Sequence, residues 1–449
     1  MKTMFDRIIL RDLGKWSEKK DRKPLVLRGA RQVGKTSVVK IFAKEFDIFI
    51  ELNLEKSDHR VIFDTDYSFD ELVNRIYFHS GNTRNSGKTL LFIDEIQNSP
   101  KAIVLLRYFY EEAPDIFVIA AGSLLENILN KNISFPVGRV EFMQMHPCTF
   151  AEFLGAVGED VSLSAYNEVE IPQYAHDKML SLFRRYSTIG GMPEIIDNYS
   201  RNKDLTSLVS IYNSLITSYS EDVEKYARSD SMEKYIRHII SAAFREARNR
   251  ITFEKFGNSS YRSREMKEAF LILERTMLLK LVYPVTSVKL PLVPNLRKKP
   301  RLQMLDTGLV NHSLGIEEEL ISEKYLDNVY RGKVAEHIVG QELLGITHSV
   351  DSALDFWVRD KKQSSAEVDF IVQHKGVLIP VEVKSGPSGK LRSLHQFMDV
   401  APHSWAVRFY SGKYNIEDTK TLEGKMFKLI NLPIYTAGKL NKILQRIIK

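Results

Sequence analysis

The chain has 449 residues, of which 43% are hydrophobic and 27% charged, a balance that excludes a disordered or fibrous protein. At roughly 150 residues per domain that length suggests about three domains. Lys and Arg outnumber Asp and Glu by 64 to 57, and this excess of +7 permits contact with nucleic acid without demanding it. The single cysteine, Cys148, excludes an internal disulfide, and no uncharged apolar run approaches the roughly 18 residues of a membrane span. The opening MKTMFDRIILRDLGKWSEKK breaks its apolar residues with charges and has no signal-peptide core, so a soluble cytoplasmic protein without integral membrane association is expected.

Up to about residue 150, short apolar runs alternate with helix-like stretches. Leu25–Arg28, Ile48–Leu52, Leu90–Asp94, Phe117–Ala121 and Arg139–Met143 read as strands, which argues for a mainly parallel sheet covered by helices. Within this region GARQVGKT, Gly29 to Thr36, fits G-x-x-x-x-G-K-[ST] between the apolar strand PLVL and a helical run. Gly29 and Gly34 allow backbone conformations that aim N–H groups at an anion, and the helix N-terminus adds its dipole. Lys35 supplies a point charge for the β- and γ-phosphates of ATP, and Thr36 a hydroxyl for Mg²⁺. Ala30, Arg31, Gln32, Val33 and Ser37 complete the nucleotide-binding set. In TLLFIDEIQ, a strand apolar enough to be buried on both faces ends in two carboxylates. Asp94 is placed to hold the Mg²⁺ shell, and Glu95 to orient or deprotonate the attacking water.

These motifs resemble the prokaryotic AAA-type ATPases that open with GARQVGKT. The resemblance implies a sensor role for Ser123, at the end of FVIAAGS, and an arginine-finger role for Arg139, in PVGRVEF. A finger acting in trans would require a homo-oligomer. GGMPE, Gly190 to Glu194, matches the lid region of the same group, with Arg184 and Arg185 as second-sensor candidates.

After Thr149–Leu154 comes a looser patch, GAVGEDVSLSAYNEVEIPQ, read as an insertion or flexible loop. From Tyr174 to about Leu279 the pattern is mostly helical, and Met232, Ile236, Ile239, Ile240 and Phe244 mark one buried stripe. ITFEKFGNSSYRSREMKEAFLILERTMLLKLVYPV reads as short helix, turn, longer helix and strand, the order of a winged helix. Arg262, Arg264 and Lys267 would lie on its recognition helix, although Glu265, Glu268 and Glu274 interrupt them. In NLRKKPRLQ, Arg297, Lys298, Lys299 and Arg301 form a denser basic cluster, read as an exposed loop or wing tip able to meet phosphates.

From Arg331 a helix precedes strand-like runs at Leu354–Val358, Glu367–Gln373 and Val377–Lys384, and a further helix and a strand around Ser404–Tyr410 follow. Glu336 lies in the helical pattern beside apolar residues, Asp369 in AEVDFIV, and Glu382 with Lys384 in LIPVEVKSG. Strand alternation puts Glu382 and Lys384 on one face, and likewise Glu367 and Asp369. Carboxylates and an ammonium in an apolar sheet call for pairing or a metal, and hard oxygens suit Mg²⁺ or Mn²⁺. The order and the D…E-x-K pattern resemble the restriction-endonuclease-like nuclease fold. That likeness implies Asp369 and Glu382 as metal ligands, Lys384 as catalytic lysine and Glu336 as accessory acid, with Lys390 and Gln396 on the next helix. A buried ion-pair network in an inactive nuclease-like domain is the competing reading of the same residues.

The expected architecture is α/β: a P-loop AAA-type ATPase core over 1–150, a helical lid and connector over 151–230, a winged-helix-like region over 231–330, and a restriction-endonuclease-like domain over 331–449. Its terminal KLNKILQRIIK puts Leu440, Ile443, Leu444, Ile447 and Ile448 on one face, suited to docking on its own domain or to a membrane surface. Two functions fit: an ATPase controlling a metal-dependent nuclease that acts on DNA, or an ATP-driven switch whose inactive nuclease-like half only binds DNA or a protein partner.

Overall fold

The computed structural model describes residues 5–448 except 85, 123–135, 137, 169, 228, 318–319, 321–327, 361–365 and 387–388. These residues divide between two compact units: 1–146 with 275–277 and 347–351, and the remainder of the chain to 449.

The first unit is built on five parallel strands, β1 (Leu25–Gly29), β2 (Ile48–Asn53), β3 (Thr89–Asp94), β4 (Phe117–Ala121) and β5 (Glu141–Met145), in the order β2-β3-β4-β1-β5. Every residue of β3 is buried, as a strand covered on both faces must be. Helices Phe69–His79 and Pro100–Glu112 begin at serine caps, with Ser68 accepting from Glu71 N–H and Ser99 from Ala102 N–H. Their apolar faces, through Ile76, Leu106 and Phe109, pack with Ile50, Leu91 and Ile93 of the sheet. The strand expected at Arg139–Met143 begins at Glu141 instead. Arg139 precedes it in a turn, its N–H donating to Pro136 O at 3.0 Å.

In the second unit a helix spans Phe150–Ala156, and the patch after it, read as a loose insertion, forms a second helix, Asp160–Asn167. Thr149 and Glu152 close a reciprocal capping box at the first, a signal that the glycines around residue 157 obscured. Longer helices follow at His176–Ile189, Pro193–Asn202, Val209–Glu221 and Asp230–Ala243, the last burying Met232, Ile236, Ile239 and Ile240 as the periodicity predicts. GGMPE is the junction between the first two of these. Gly190, at φ +75°, ends one helix, Pro193 starts the next, and Gly191 N–H donates to the buried Asp306 carboxylate at 2.5 Å.

Helix Ser263–Arg275 leads into an antiparallel pair, β6 (Leu279–Val282) with β8 (Arg301–Met304). Arg262, Arg264 and Lys267 are exposed on or beside that helix. Arg301 corrects the sequence reading: it is not part of an exposed basic loop but is 7% exposed within β8, because Pro300 ends the loop and pairing with β6 draws it inward. A seven-stranded mixed sheet has the order β13-β14-β12-β11-β10-β9-β7, formed by β7 (Pro284–Val285), β9 (Asp355–Val358), β10 (Glu367–His374), β11 (Val377–Val383), β12 (Trp405–Tyr410), β13 (Asn415–Lys420) and β14 (Met426–Pro433). Strands β9, β10 and β11 form an antiparallel meander after helix Asn328–Gly345, and helix Arg392–Val400 leads to β12, parallel to β11. Leu394, Phe397 and Met398 of that helix pack with Val368, Ile371 and Leu378. Helix Leu440–Ile447 docks within its own unit, with Leu440 and Leu444 fully buried. Among the described residues no helix is long and apolar enough to cross a membrane.

Candidate active site

In the first unit the phosphate loop joins β1 to helix Lys35–Phe42. Gly34 sits at φ +95°, a conformation that side-chain-bearing residues rarely adopt. Gly29 has no room for a side chain, since a Cβ there would lie 2.7 Å from Met145 O. Ala30 and Val33 are buried, Arg31 is half-buried, and Gln32 and Ser37 face outward. The Lys35 ammonium, 8% exposed, donates to the carbonyls of Gly29 (2.8 Å) and Ala30 (3.0 Å). Burial pushes it down to about 8, partly offset by Glu95 and Asp94. Thr36 donates its hydroxyl to Asp94 Oδ2 at 2.8 Å, so the two expected Mg²⁺ ligands meet. Burial raises the Asp94 carboxyl against the Thr36 hydrogen bond, and raises Glu95 against a hydrogen bond from Gln97. Glu95 lies at φ +52°, turning its side chain off the strand line. Lys35, Thr36, Asp94 and Glu95 thus form one cluster.

The sequence reading missed Arg7. Its guanidinium donates to Val33 O at 3.0 Å and His146 O at 2.7 Å, tying the loop to the chain after β5. No local pattern marks a lone arginine ahead of a helix as a loop support. Arg139 is 2.8 Å from Glu111, which also pairs with Arg107. Ser123 lies outside the described residues. Arg185 stands over the Tyr199 ring in the second unit.

The first unit's strand order, its phosphate loop and the acid-ended β3 agree with the comparison of the chain with known families, in which residues 21–154 match the AAA domain. Residues 21–154 form an AAA-type P-loop ATPase domain. This family points to nucleoside-triphosphate hydrolysis, with Mg²⁺ as the usual companion of the nucleotide. Residues 180–320 match a domain of unknown function, DUF8612, and residues 331–435 another, DUF4143. Among solved structures, the Walker-type ATPase PABY2304 of Pyrococcus abyssi is 16% identical, with 69% of this chain and 96% of that chain covered and a TM-score of 0.45. The Aeropyrum pernix ORC1 protein in complex with DNA is 15% identical over 72% of this chain and 96% of that one, with a TM-score of 0.30. The Thermotoga maritima RuvB Holliday junction branch migration motor is 15% identical over 63% and 92%, with a TM-score of 0.28. No curated protein matches the chain.

The second unit of the AAA-domain chain holds the other constellation. The β10–β11 register, continued one step beyond Phe370 and Val381, sets Asp369 opposite Glu382. Asp369 Oδ2 accepts from Val383 N–H at 2.9 Å, and Lys384 donates to Glu382 Oε1 at 2.7 Å. A bulge between Val368 and Ile371 re-aims β10 at this point. Asp369 and Glu382 are each 6% exposed, and Glu382 Oε2 has no hydrogen-bond partner among the described residues. Burial and the Asp369 charge raise the Glu382 carboxyl. Burial would lower Lys384, but Glu382 outweighs it and holds the amine as an ammonium. Glu336 lies near enough to feel the charges of Asp369 and Lys384, and its Oε2 is 3.5 Å from Arg248 and 3.9 Å from Arg301. Lys390 falls ahead of helix Arg392–Val400, not on it, and Gln396 accepts from Arg359 at 2.9 Å.

Among the described residues the group of three potential ligands whose metal-binding atoms gather closely is Asp58, His59 and His79. His59 Nδ1 accepts from Asn53 N–H at 2.9 Å, which leaves the proton of the neutral ring on Nε2 and makes that nitrogen a poor metal ligand.

Proposed function

We propose that this chain is an ATP-binding and ATP-hydrolysing enzyme whose cycle controls a nuclease-like C-terminal half acting on DNA. The convergence of Lys35, Thr36, Asp94 and Glu95 carries the first part. In that cycle Lys35 would exchange its loop carbonyls for phosphate oxygens, Thr36 and Asp94 would hold Mg²⁺, and Glu95 would accept the proton of the attacking water. Arg139 serves as a finger in trans within a homo-oligomer once it leaves Glu111.

For the second part, helix Asn328–Gly345, the meander β9–β10–β11, helix Arg392–Val400 and parallel β12 have the order of the restriction-endonuclease-like fold. Asp369 and Glu382 fit a divalent cation, Mg²⁺ or Mn²⁺, through hard oxygens, one of them buried and orphaned. Such a cation supplies Lewis-acid polarisation of a phosphodiester and activation of water. Lys384, an ammonium beside Glu382, stabilises charge on the phosphate. Exposed Arg262, Arg264 and Lys267, with Arg297 and Lys299, offer backbone contacts to DNA from the winged-helix-like region.

The test is cleavage of single-stranded, duplex and branched DNA with Mg²⁺ or Mn²⁺, with and without ATP, alongside Asp369→Asn and Lys35→Ala. Loss of cleavage in Asp369→Asn establishes the nuclease, and the response to Lys35→Ala shows whether ATP gates it. ATP hydrolysis without cleavage of any substrate removes the nuclease. One observation favours that second reading, a switch whose C-terminal half only binds DNA or a protein: arginines lie among the carboxylates.

A further inference from the structure

The arginines beside the nuclease-like carboxylates come from a distant part of the chain. Residues 248–251 run against 300–302: Arg248 N–H donates to Leu302 O at 2.7 Å, Leu302 N–H to Asn249 O at 3.1 Å, and Ile251 N–H to Pro300 O at 2.9 Å. Arg248 adopts φ +65°, a conformation unusual for arginine, at the start of this ribbon. The ribbon carries Arg248, Arg250 and Arg301 to the carboxylates.

Arg301 is the most central. Its guanidinium contacts Glu367, lies 3.5 Å from Asp369 Oδ1, and donates to Asp369 O at 3.2 Å. The Phe356 ring covers it at 4.6 Å. Burial would lower its affinity for a proton, but Asp369, Glu367 and Glu336 outweigh burial and keep it charged. Arg250 reaches Glu367 at 3.5 Å, and Arg248 reaches Glu336 at 3.5 Å. The four carboxylates Glu336, Glu367, Asp369 and Glu382 therefore face four fixed cations, Arg248, Arg250, Arg301 and Lys384. A site ready for a divalent ion keeps surplus negative charge to offset the ion's dehydration. Here the formal charge is already balanced, yet Glu382 Oε2 is buried without a partner among the described residues.

We propose that Arg301 is the resting counter-cation of this carboxylate set, occupying Asp369 so that a divalent cation binds Asp369 and Glu382 only when the guanidinium is withdrawn. The inference rests on reading those carboxylates as a metal set. Phosphate is the natural competitor for the guanidinium, because the planar fork matches phosphate oxygens as well as it matches a carboxylate.

The experiment measures Mn²⁺ binding to the full chain without nucleotide, by the loss of the free-ion paramagnetic resonance signal. Wild type should bind no more Mn²⁺ than Asp369→Asn. Arg301→Gln should bind at least about tenfold more tightly, and Arg301→Gln with Asp369→Asn should lose that gain. If Arg301→Gln does not fold, Arg301→Gln with Glu367→Gln removes one charge of each sign and takes its place, with circular dichroism as the check. Wild-type Mn²⁺ binding that Asp369→Asn abolishes and removal of Arg301 leaves unchanged overturns the counter-cation while keeping the metal set. Absence of Mn²⁺ binding in a folded chain lacking Arg301 overturns both.

Discussion

Lys35 and Glu95 share one cluster but make separable demands on it. In the proposed cycle Lys35 meets phosphate charge in the bound and reacting states alike, whereas Glu95 is needed only when water attacks. Glu95→Gln should therefore keep ATP binding and slow hydrolysis by about 10²–10⁴-fold, measured as phosphate release beside binding of a fluorescent nucleotide. Lys35→Ala should lose both. Glu342 concerns stability instead. It is fully buried, accepts from Phe150 N–H (2.8 Å) and the Tyr186 hydroxyl (2.7 Å) on one oxygen, and has no partner among the described residues on the other. Burial pushes its carboxyl up to about 7 from 4.5. The folded chain thus holds a proton that the unfolded chain releases, and this contribution is complete below about pH 4.5 and lost as pH rises through about 7. Glu342→Gln should remove the loss, flattening the fall in thermal stability between pH 5 and 8 by as much as about 3 kcal/mol. A variant with the wild-type pH slope would assign that slope to other groups.

At the scale of elements, the GGMPE junction makes a steric prediction. A Cβ on Gly190 would stand 2.2 Å from Asp306 Oδ1 and 2.5 Å from Gly308 N, at a φ of +75°. Gly190→Ala should cost about 3 kcal/mol or more in denaturant unfolding, with the phosphate loop's nucleotide affinity as the control. The motif was legible in the sequence, but its structural work was not, because Asp306 comes more than a hundred residues later. Helix Leu440–Ile447 offers the converse case. Its apolar stripe was readable, and burial of Leu444 makes it a packing element, so Leu444→Ala should lower stability by about 2–5 kcal/mol in denaturant unfolding. Liposome flotation of the folded chain should be unaffected by that change.

Over the whole molecule, local sequence signals specified the first unit well and the second only in part. A phosphate loop is contiguous, and β3 delivers Asp94 and Glu95 from one strand end, so spacing alone assembled that cluster. The carboxylates Asp369 and Glu382 were equally legible, since alternation along two neighbouring strands set them on one face. Arg248 and Arg301 were not. Arg248 carries no local signal and Arg301 reads as part of a basic loop, and only long-range pairing between 248–251 and 300–302 turns both inward. Arg7 escaped for the same reason. Hydrogen exchange should reflect the nucleotide assignment: a non-hydrolysable ATP analogue with Mg²⁺ should slow exchange over 29–37 and 94–97, and Lys35→Ala should abolish that protection. Protection elsewhere in the first unit, without protection of the loop, would move the nucleotide site.

Strand β7 is only two residues long, yet Pro284 and Val285 pair in parallel with Phe356 and Trp357 of β9 and close one end of the seven-stranded sheet. A fragment starting at 331 would lack that closure, and β9 would present bare N–H and C=O groups along an apolar rim. Gene dissection at that boundary would yield a sticky product rather than a miniature enzyme, so silence from such a fragment would report precipitation before it reported chemistry.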